Sequence, residues 1–275
     1  MLIFVIPLKA KGASSDWEGC VARFKQTVQS CYQQTNPNFR ILISCDEKID
    51  LGFEDDRIEF LVSDDIPLPK SWEEKVRNKS WKQLVAAVRI KEILRKQKDP
   101  KHGIYVMPVD ADDLVSSRLA QYAEDHPNEN GFVSKYGYVW HEGQMYVQRY
   151  KDMHRYCGSC NVIKMYLEDL PDTIPVETER CYDPVVCRGL NSRYIIRKDH
   201  GKVVDIYAAK GKSFLICPFV TTIYRLSTGD NISSEVVTVG KGIHLGVWLR
   251  KINPFDKCFL GKAIRKDFGI SDKRQ

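Results

Sequence analysis

The chain of 275 residues is 43% apolar and 28% charged, which excludes disorder, collagen-like repeats and a coiled coil. Its length suits one large α/β domain or two small ones, and one hydrophobic core can still serve it. The formal charge of +6 arises from 42 Lys and Arg against 36 Asp and Glu. Nine of the basic and three of the acidic residues lie in 241–275, so residues 1–240 balance at 33 against 33. A neutral body with a basic tail is not a uniformly basic nucleic-acid binder, and no nucleic-acid partner is expected.

Residues 2–8 form an uninterrupted apolar run, as expected of a strand covered on both faces. The run is too short for a signal peptide and lacks a basic flank, so it is expected to be the first strand. Ser15 and Glu18 have capping-box spacing beside Trp17, Val21, Phe24, Val28, Cys31 and Tyr32, which recur at helical intervals until Asn36-Pro37. Phe39–Cys45 reads as a second buried strand, stopped by Asp46-Glu47. Residues 57–62 read as a third, stopped by Ser63-Asp64-Asp65. A Pro-rich loop, Ile66-Pro67-Leu68-Pro69, then leads to a long helix over about 73–97 whose apolar residues surround most of its axis. A fourth strand covers 104–109 and a short helix 116–124. The alternation over 1–125 predicts an α/β fold with a mostly parallel sheet and helices on both faces.

After Asn130 the pattern changes to short strands at Gly131–Ser134, 136–140, 145–150 and Asn161–Met165, with His141-Glu142-Gly143 as a hairpin turn. There is no repeat and no linker. One continuous domain is therefore expected over 1–240, with a nucleotide-type half (1–125), an acceptor half (126–240) and a basic C-terminal extension (241–275). Nine cysteines, an odd number mostly set in apolar runs, point to reduced thiols and a cytoplasmic setting. No apolar run approaches the roughly 20 residues of a membrane span.

Val109-Asp110-Ala111-Asp112-Asp113-Leu114 directly follows the fourth strand. Ligands of open parallel sheets gather outside the carboxyl ends of strands, and two carboxylates spaced i, i+2 on a turn there can converge on a hard divalent cation. Asp113 and Ser116 are better placed to cap the next helix, and an acidic turn that only caps is the alternative for the whole segment. Pro7-Leu8, Asp46-Glu47 and Ser63-Asp64-Asp65 aim at the same edge, where Asp46 can accept from a nucleobase imide or a ribose hydroxyl. Lys75, Arg77, Lys79 and Lys82 crowd the start of the long helix, a natural counter-charge for a diphosphate, with Lys82 the chosen candidate.

The opening apolar strand, the helix with Thr27-Val28-Gln29-Ser30-Cys31-Tyr32-Gln33-Gln34, the strand ending at Asp46, and Val109-Asp110-Ala111-Asp112-Asp113 resemble family 2 glycosyltransferases of the GT-A fold, as in bacterial surface-polysaccharide synthesis. The resemblance covers roughly residues 2–165; beyond it, Thr228-Gly229-Asp230-Asn231-Ile232-Ser233 and Lys266-Asp267-Phe268-Gly269 are similar to bacterial members. It implies that Pro7, Leu8 and Asp46 line a nucleoside pocket and that Asp110 meets the ribose or the metal's water shell. It further implies that Asp112 ligates Mn²⁺ or Mg²⁺, which would neutralise a nucleoside-diphosphate leaving group. The implied reaction moves a sugar from a nucleoside-diphosphate sugar to a hydroxyl of a glycan or glycolipid, with inversion and a carboxylate base.

The family's adjacent Glu-Asp is not found where it is expected. Glu168-Asp169 follows the strand Asn161–Met165 too soon, and the segment Glu177 to Pro184 lacks the pair. Asp183 is the favoured base and Glu179 the second choice, with a simple N-cap before Pro184 as the alternative for Asp183. Cys157-Gly158-Ser159-Cys160 near His154 has the spacing of a zinc or thiol-redox motif, but no second pair accompanies it. Gly158 and Ser159 are expected as a turn on the acceptor side, and His200 as a surface turn residue or a further metal ligand.

An oxidoreductase would need Gly-x-Gly-x-x-Gly after the first strand, where Pro7-Leu8-Lys9-Ala10-Lys11-Gly12 stands. A non-catalytic nucleotide- or carbohydrate-binding protein of the same fold and an aspartate-based phosphohydrolase are the alternatives. Apolar and basic residues mix in 247–252 and 259–266, which suits either contact with the anionic inner face of a membrane or a helix packed on the body.

Overall fold

Every residue of strand β1 (Leu2–Pro7) is buried, because the strand lies inside a sheet that is covered on both sides. The computed structural model describes residues 1–63, 68–174, 196, 200–226 and 256–271. Side chains of β1 alternate between two apolar layers, as the pleat requires. Leu2, Phe4 and Ile6 meet Phe24, Val28 and Cys31 of helix α1 (Trp17–Tyr32). Ile3 and Val5 meet Leu84, Ala87 and Ile90 of helix α2 (Trp72–Arg95).

The first sheet adds β2 (Phe39–Cys45), β3 (Ile58–Val62), β4 (Ile104–Pro108), β6 (Gly131–Ser134), β9 (Asn161–Met165) and β10 (Leu215–Cys217). Its seven strands run in the order β10-β6-β9-β4-β1-β2-β3. Strands β4, β1, β2 and β3 are mutually parallel, in a register that pairs Leu2 with Phe39 and with Tyr105. Strand β9 runs antiparallel to both β4 and β6, so β6 and β10 again point the same way as β1. The expected α/β fold with a mostly parallel sheet is the one observed.

A second, five-stranded sheet has the order β12-β8-β7-β11-β5. It is built from β5 (Leu114–Val115), β7 (Tyr136–His141), β8 (Tyr146–Lys151), β11 (Thr222–Leu226) and β12 (Lys257–Phe259). Gly143, with φ of +87°, makes the tight turn between β7 and β8 that an L side chain would strain. Besides single 3-10 turns, the described residues hold three short α-helices: α3 (Leu119–Asp125), α4 (Val203–Ala208) and α5 (Lys262–Phe268). Phe268 and Leu260 pack with Trp140, Val147 and Ile223, so residues 256–271 belong to the body, with α5 against the second sheet.

Local details differ from expectation for identifiable reasons. Asp16, not Ser15, caps α1 by accepting from the Gly19 amide at 3.0 Å. The segment after the acidic turn begins as β5, because Leu114 and Val115 pair with Ile223 and Thr222 from far along the chain; α3 starts only at Leu119. Among the described residues no helix is long and apolar enough to cross a membrane.

One corner is held electrostatically. Asp55 accepts from Arg57 Nε at 2.9 Å, Arg57 Nη2 at 2.8 Å and the Tyr32 hydroxyl at 3.0 Å, while the guanidinium lies over the Tyr32 and Phe39 rings. The Arg57 hydrogen bonds hold the Asp55 carboxyl well below the usual carboxylate range. A depressed carboxylate contributes stability above its unfolded pKa of about 4, and the contribution is lost as pH falls through the folded value. Asp55→Asn is expected to cost about 1–2 kcal/mol at neutral pH and progressively less below about pH 4. Urea unfolding of both proteins across that range checks this; a gap that does not shrink in acid contradicts it.

Candidate functional site

The carboxyl ends of β4, β1 and β2 place Asp110, Leu8 and Asp46 on one edge of the first sheet. Helix α2 crosses behind them and lays two lysines, one turn apart, on two of these strand ends. The Lys79 ammonium bonds Asp110 Oδ1. The Lys82 ammonium donates to Leu8 O at 2.6 Å and bonds Asp46 Oδ2. Lys82 is only 1% exposed and Leu8 is in the core. Lys82 therefore spends donors inside the protein, on Leu8 and Asp46, and is not at the exposed rim. Lys79, about a third exposed, is the α2 cation at the acidic turn.

Burial presses the Lys79 ammonium down, but Asp110, with Asp113 and Asp112 behind it, outweighs burial and holds its pKa above the usual value. For Lys82 burial wins, and Asp46 restores only part of the loss. Asp112 is raised by burial first and by Asp110 second, with Arg225, Lys79 and Lys9 opposing. A carboxylate such as Asp112, whose ionisation burial and a like charge disfavour, is the situation that a bound dication relieves.

The turn is held rigidly from beneath. Asp113 is fully buried and caps no helix, contrary to expectation. Its Oδ2 accepts from Ser159 Oγ at 2.6 Å and Cys157 Sγ at 3.2 Å, and its Oδ1 from the Arg225 amide at 3.2 Å. Ser159 Oγ in turn accepts from the Asp110 amide at 2.8 Å. Thr27 of α1 donates to Ala111 O at 3.0 Å. Ser159 is thus a buried brace of the acidic turn and not a surface lining. Cys157 is also buried, and burial raises its thiol well above the usual range, unlike a reactive or metal-bound thiolate.

Arg225 was not foreseen. It is fully buried in β11, donates to Gln26 Oε1 at 2.9 Å, and lies 3.3 Å from Glu142 Oε1. Burial lowers its guanidinium pKa, while Glu142, Asp112 and Asp113 pull it back. Its signal in the sequence was weak: one cation in an otherwise uncharged strand.

Pro7, Leu8, Asp46, Lys82, Asp110 and Asp112 thus share one edge. Glu179, Asp183, Asp64 and Asp65 lie outside the described residues, as do Thr228–Ser233, residues 241–255 and the His200 side chain. Among the described residues no three ligating side chains group together. Asp110 and Asp112 nevertheless offer hard oxygen donors on one turn, which fits a cation such as Mn²⁺ or Mg²⁺ that completes its shell with water and phosphate.

No protein-family profile and no curated protein sequence matches the chain. Among solved structures it is similar to mouse xyloside xylosyltransferase 1 in its apo form, with 10% identity and a TM-score of 0.35 over 78% of this chain and 84% of that one. It is also similar to the 2-C-methyl-D-erythritol 4-phosphate cytidylyltransferase of Francisella tularensis, with 12% identity and a TM-score of 0.33 over 86% of this chain and 99% of that one. Both likenesses are remote, and the fold rests on the strand order and directions given above.

The bracing of Asp113 makes a contrast between two variants. Asp113→Ala removes the acceptor of three buried donors and is expected to cost about 3 kcal/mol. Asp113→Asn keeps the shape and one acceptor oxygen and should cost under about 1 kcal/mol. Burial, then Asp112 and Asp110, holds the Asp113 pKa well above the usual carboxylate value. The folded state then binds that proton more tightly than the unfolded state. The resulting stability is full below the unfolded pKa of about 4 and is lost as pH rises toward the folded value. Chemical denaturation at about pH 5 and about pH 8 should show the Asn variant gaining on the native chain at the higher pH. An unmoving gap, or an Asn variant as unstable as Ala, contradicts the assignment.

Proposed function

We propose that this chain is a metal-dependent glycosyltransferase, moving a sugar from a nucleoside-diphosphate sugar to a hydroxyl of a glycan or glycolipid with inversion. The observation that supports this most is the braced acidic turn at the carboxyl end of central strand β4, flanked by Asp46 at the end of β2 and faced by Lys79 from α2. Open α/β sheets bind their ligands at such an edge.

Pro7, Leu8 and Asp46 form the nucleoside end of the site in this reading. Lys82 fixes Asp46 through Oδ2, which leaves the other carboxylate oxygen to accept from a base or a ribose hydroxyl. Asp112, with Asp110, would hold Mn²⁺ or Mg²⁺, which supplies Lewis-acid stabilisation of the departing diphosphate. Lys79 is near enough to add a second positive charge there, and donor binding would draw its ammonium from Asp110 toward phosphate. Asp183, or failing it Glu179, is the proposed base that takes the acceptor proton.

A thermal-shift screen of UDP-, GDP-, TDP- and CMP-sugars, with and without Mn²⁺, tests the reading. At least one nucleotide should stabilise the native chain more strongly with the metal, and Asp112→Ala should abolish that increment. Turnover of the donor in Asp112→Ala should fall by on the order of 100- to 1,000-fold, the loss of a few kcal/mol of transition-state stabilisation. Stabilisation by none of the nucleotides overturns the proposal. Binding without any donor turnover or hydrolysis leaves a non-catalytic nucleotide-binding protein.

A further inference from the structure

A groove of about 790 Å³ lies away from the acidic turn, between the second sheet, α5 and the ends of β6 and β10. Its volume is that of a small-ligand site. Four cations line it, Arg118, Lys135, Arg149 and Lys266, against a single acid, Asp267. Asp267 is already engaged: it accepts from Ser116 Oγ at 2.8 Å, Ser117 Oγ at 2.9 Å and Arg118 Nη2 at 2.6 Å. Arg149 stands 3.7 Å from Asp256, a long pair between half-exposed side chains that screening makes weak. Lys135 and Lys266 are exposed and have no acidic partner among the described residues.

Rings are interleaved with these cations. Arg149 lies over Tyr136 at 4.6 Å and Arg118 over Phe219 at 4.2 Å, while Tyr138 contributes a further ring to the wall. Stacking helps to hold both guanidinium groups in place; Arg118 is engaged by Asp267 and Ser116, which leaves Arg149, Lys135 and Lys266 as the cations to meet a carboxylate or phosphate. Aromatic walls with phenol groups suit the apolar faces and hydroxyls of a pyranose.

We infer that this groove binds an anionic saccharide, a sugar chain carrying phosphate or carboxylate. A flat bilayer does not enter a concave site of this size. Duplex nucleic acid calls for a long stripe of cations, whereas the cations here are four, gathered in one concave groove. The groove also opens on the same sheet edge as the acidic turn. Strand β6 ends at Ser134, and β10 at Cys217, pointing the same way as β4. Arg118 follows Asp113 by five residues, at most about 18 Å of extended chain. If the transferase reading holds, the occupant is the acceptor; the binding itself does not depend on that reading.

The test uses the full chain and a fluorescent trisaccharide carrying one phosphate, with its dephosphorylated form as control, followed by anisotropy. The phosphorylated probe should bind at least about tenfold more tightly, and the double variant Lys135→Glu/Lys266→Glu should lose at least about tenfold of that affinity. Both lysines are exposed, so melting temperature and nucleotide stabilisation should stay as in the native chain. Equal binding of the two probes, no loss in the double variant, or binding confined to duplex DNA or anionic vesicles overturns the inference. Probe binding that persists when no nucleotide stabilises the chain removes the transferase reading alone; nucleotide binding without probe binding removes this one alone.

Discussion

The Asp113 carboxyl is the constraint on which the site depends. It is buried between three segments that are remote in sequence: the turn after β4, the 157–160 turn before β9, and β11. A buried carboxyl is costly unless its acceptors are filled, and here a hydroxyl, a thiol and a backbone amide fill them. The consequence is positional. With Asp113 pointing inward and Ala111 held by Thr27, the turn has no freedom to collapse into a helix cap. Asp110 and Asp112 are left at the sheet edge as the less buried members of the trio.

The same economy of charge governs α2. Two lysines a turn apart serve different ends, although their chemistry is identical. Lys82 lies deep enough that its ammonium must be satisfied inside, and it fixes β1 and β2 relative to each other through Leu8 O and Asp46. Lys79 lies nearer the rim and meets an acid that solvent also reaches. A fixed cation beneath and a releasable one above is a useful pairing for a site whose ligand brings its own negative charge. The inner lysine holds the frame, and in the proposed reaction the outer one would exchange Asp110 for phosphate.

How much of this was legible follows from which interactions are local. Strand β1, the second strand Phe39–Cys45 and the two-sided sheet were readable, because an apolar run of strand length bounded by turn residues leaves few alternatives. The acidic turn was readable as a strand-end feature. The role of Asp113 was not, since capping is a local pattern and its real partners, Cys157, Ser159 and Arg225, lie 44 to 112 positions away. The choice between Lys79 and Lys82 turns on a few ångströms of helix depth, which periodicity does not resolve along a helix apolar around most of its axis. Arg225 carried little local signal, since its partners Gln26 and Glu142 lie 199 and 83 positions away.

The antiparallel strand β9 explains why so much chemistry meets at one edge. In a purely parallel sheet, only strand ends would reach the carboxyl edge, each followed by a loop of its own. By running backwards between β4 and β6, β9 brings its start to that edge, and with it the 157–160 turn that braces Asp110 and Asp113. The reversal also spaces β6 and β10 two and three strand positions from β4, about 10–15 Å at ordinary strand separation. The ends of β6 and β10, which border the basic groove, are thus offset from the acidic turn along the same sheet edge. Opposite charges set side by side would neutralise each other; an offset of two to three strands weakens that pairing and leaves each cluster its own field.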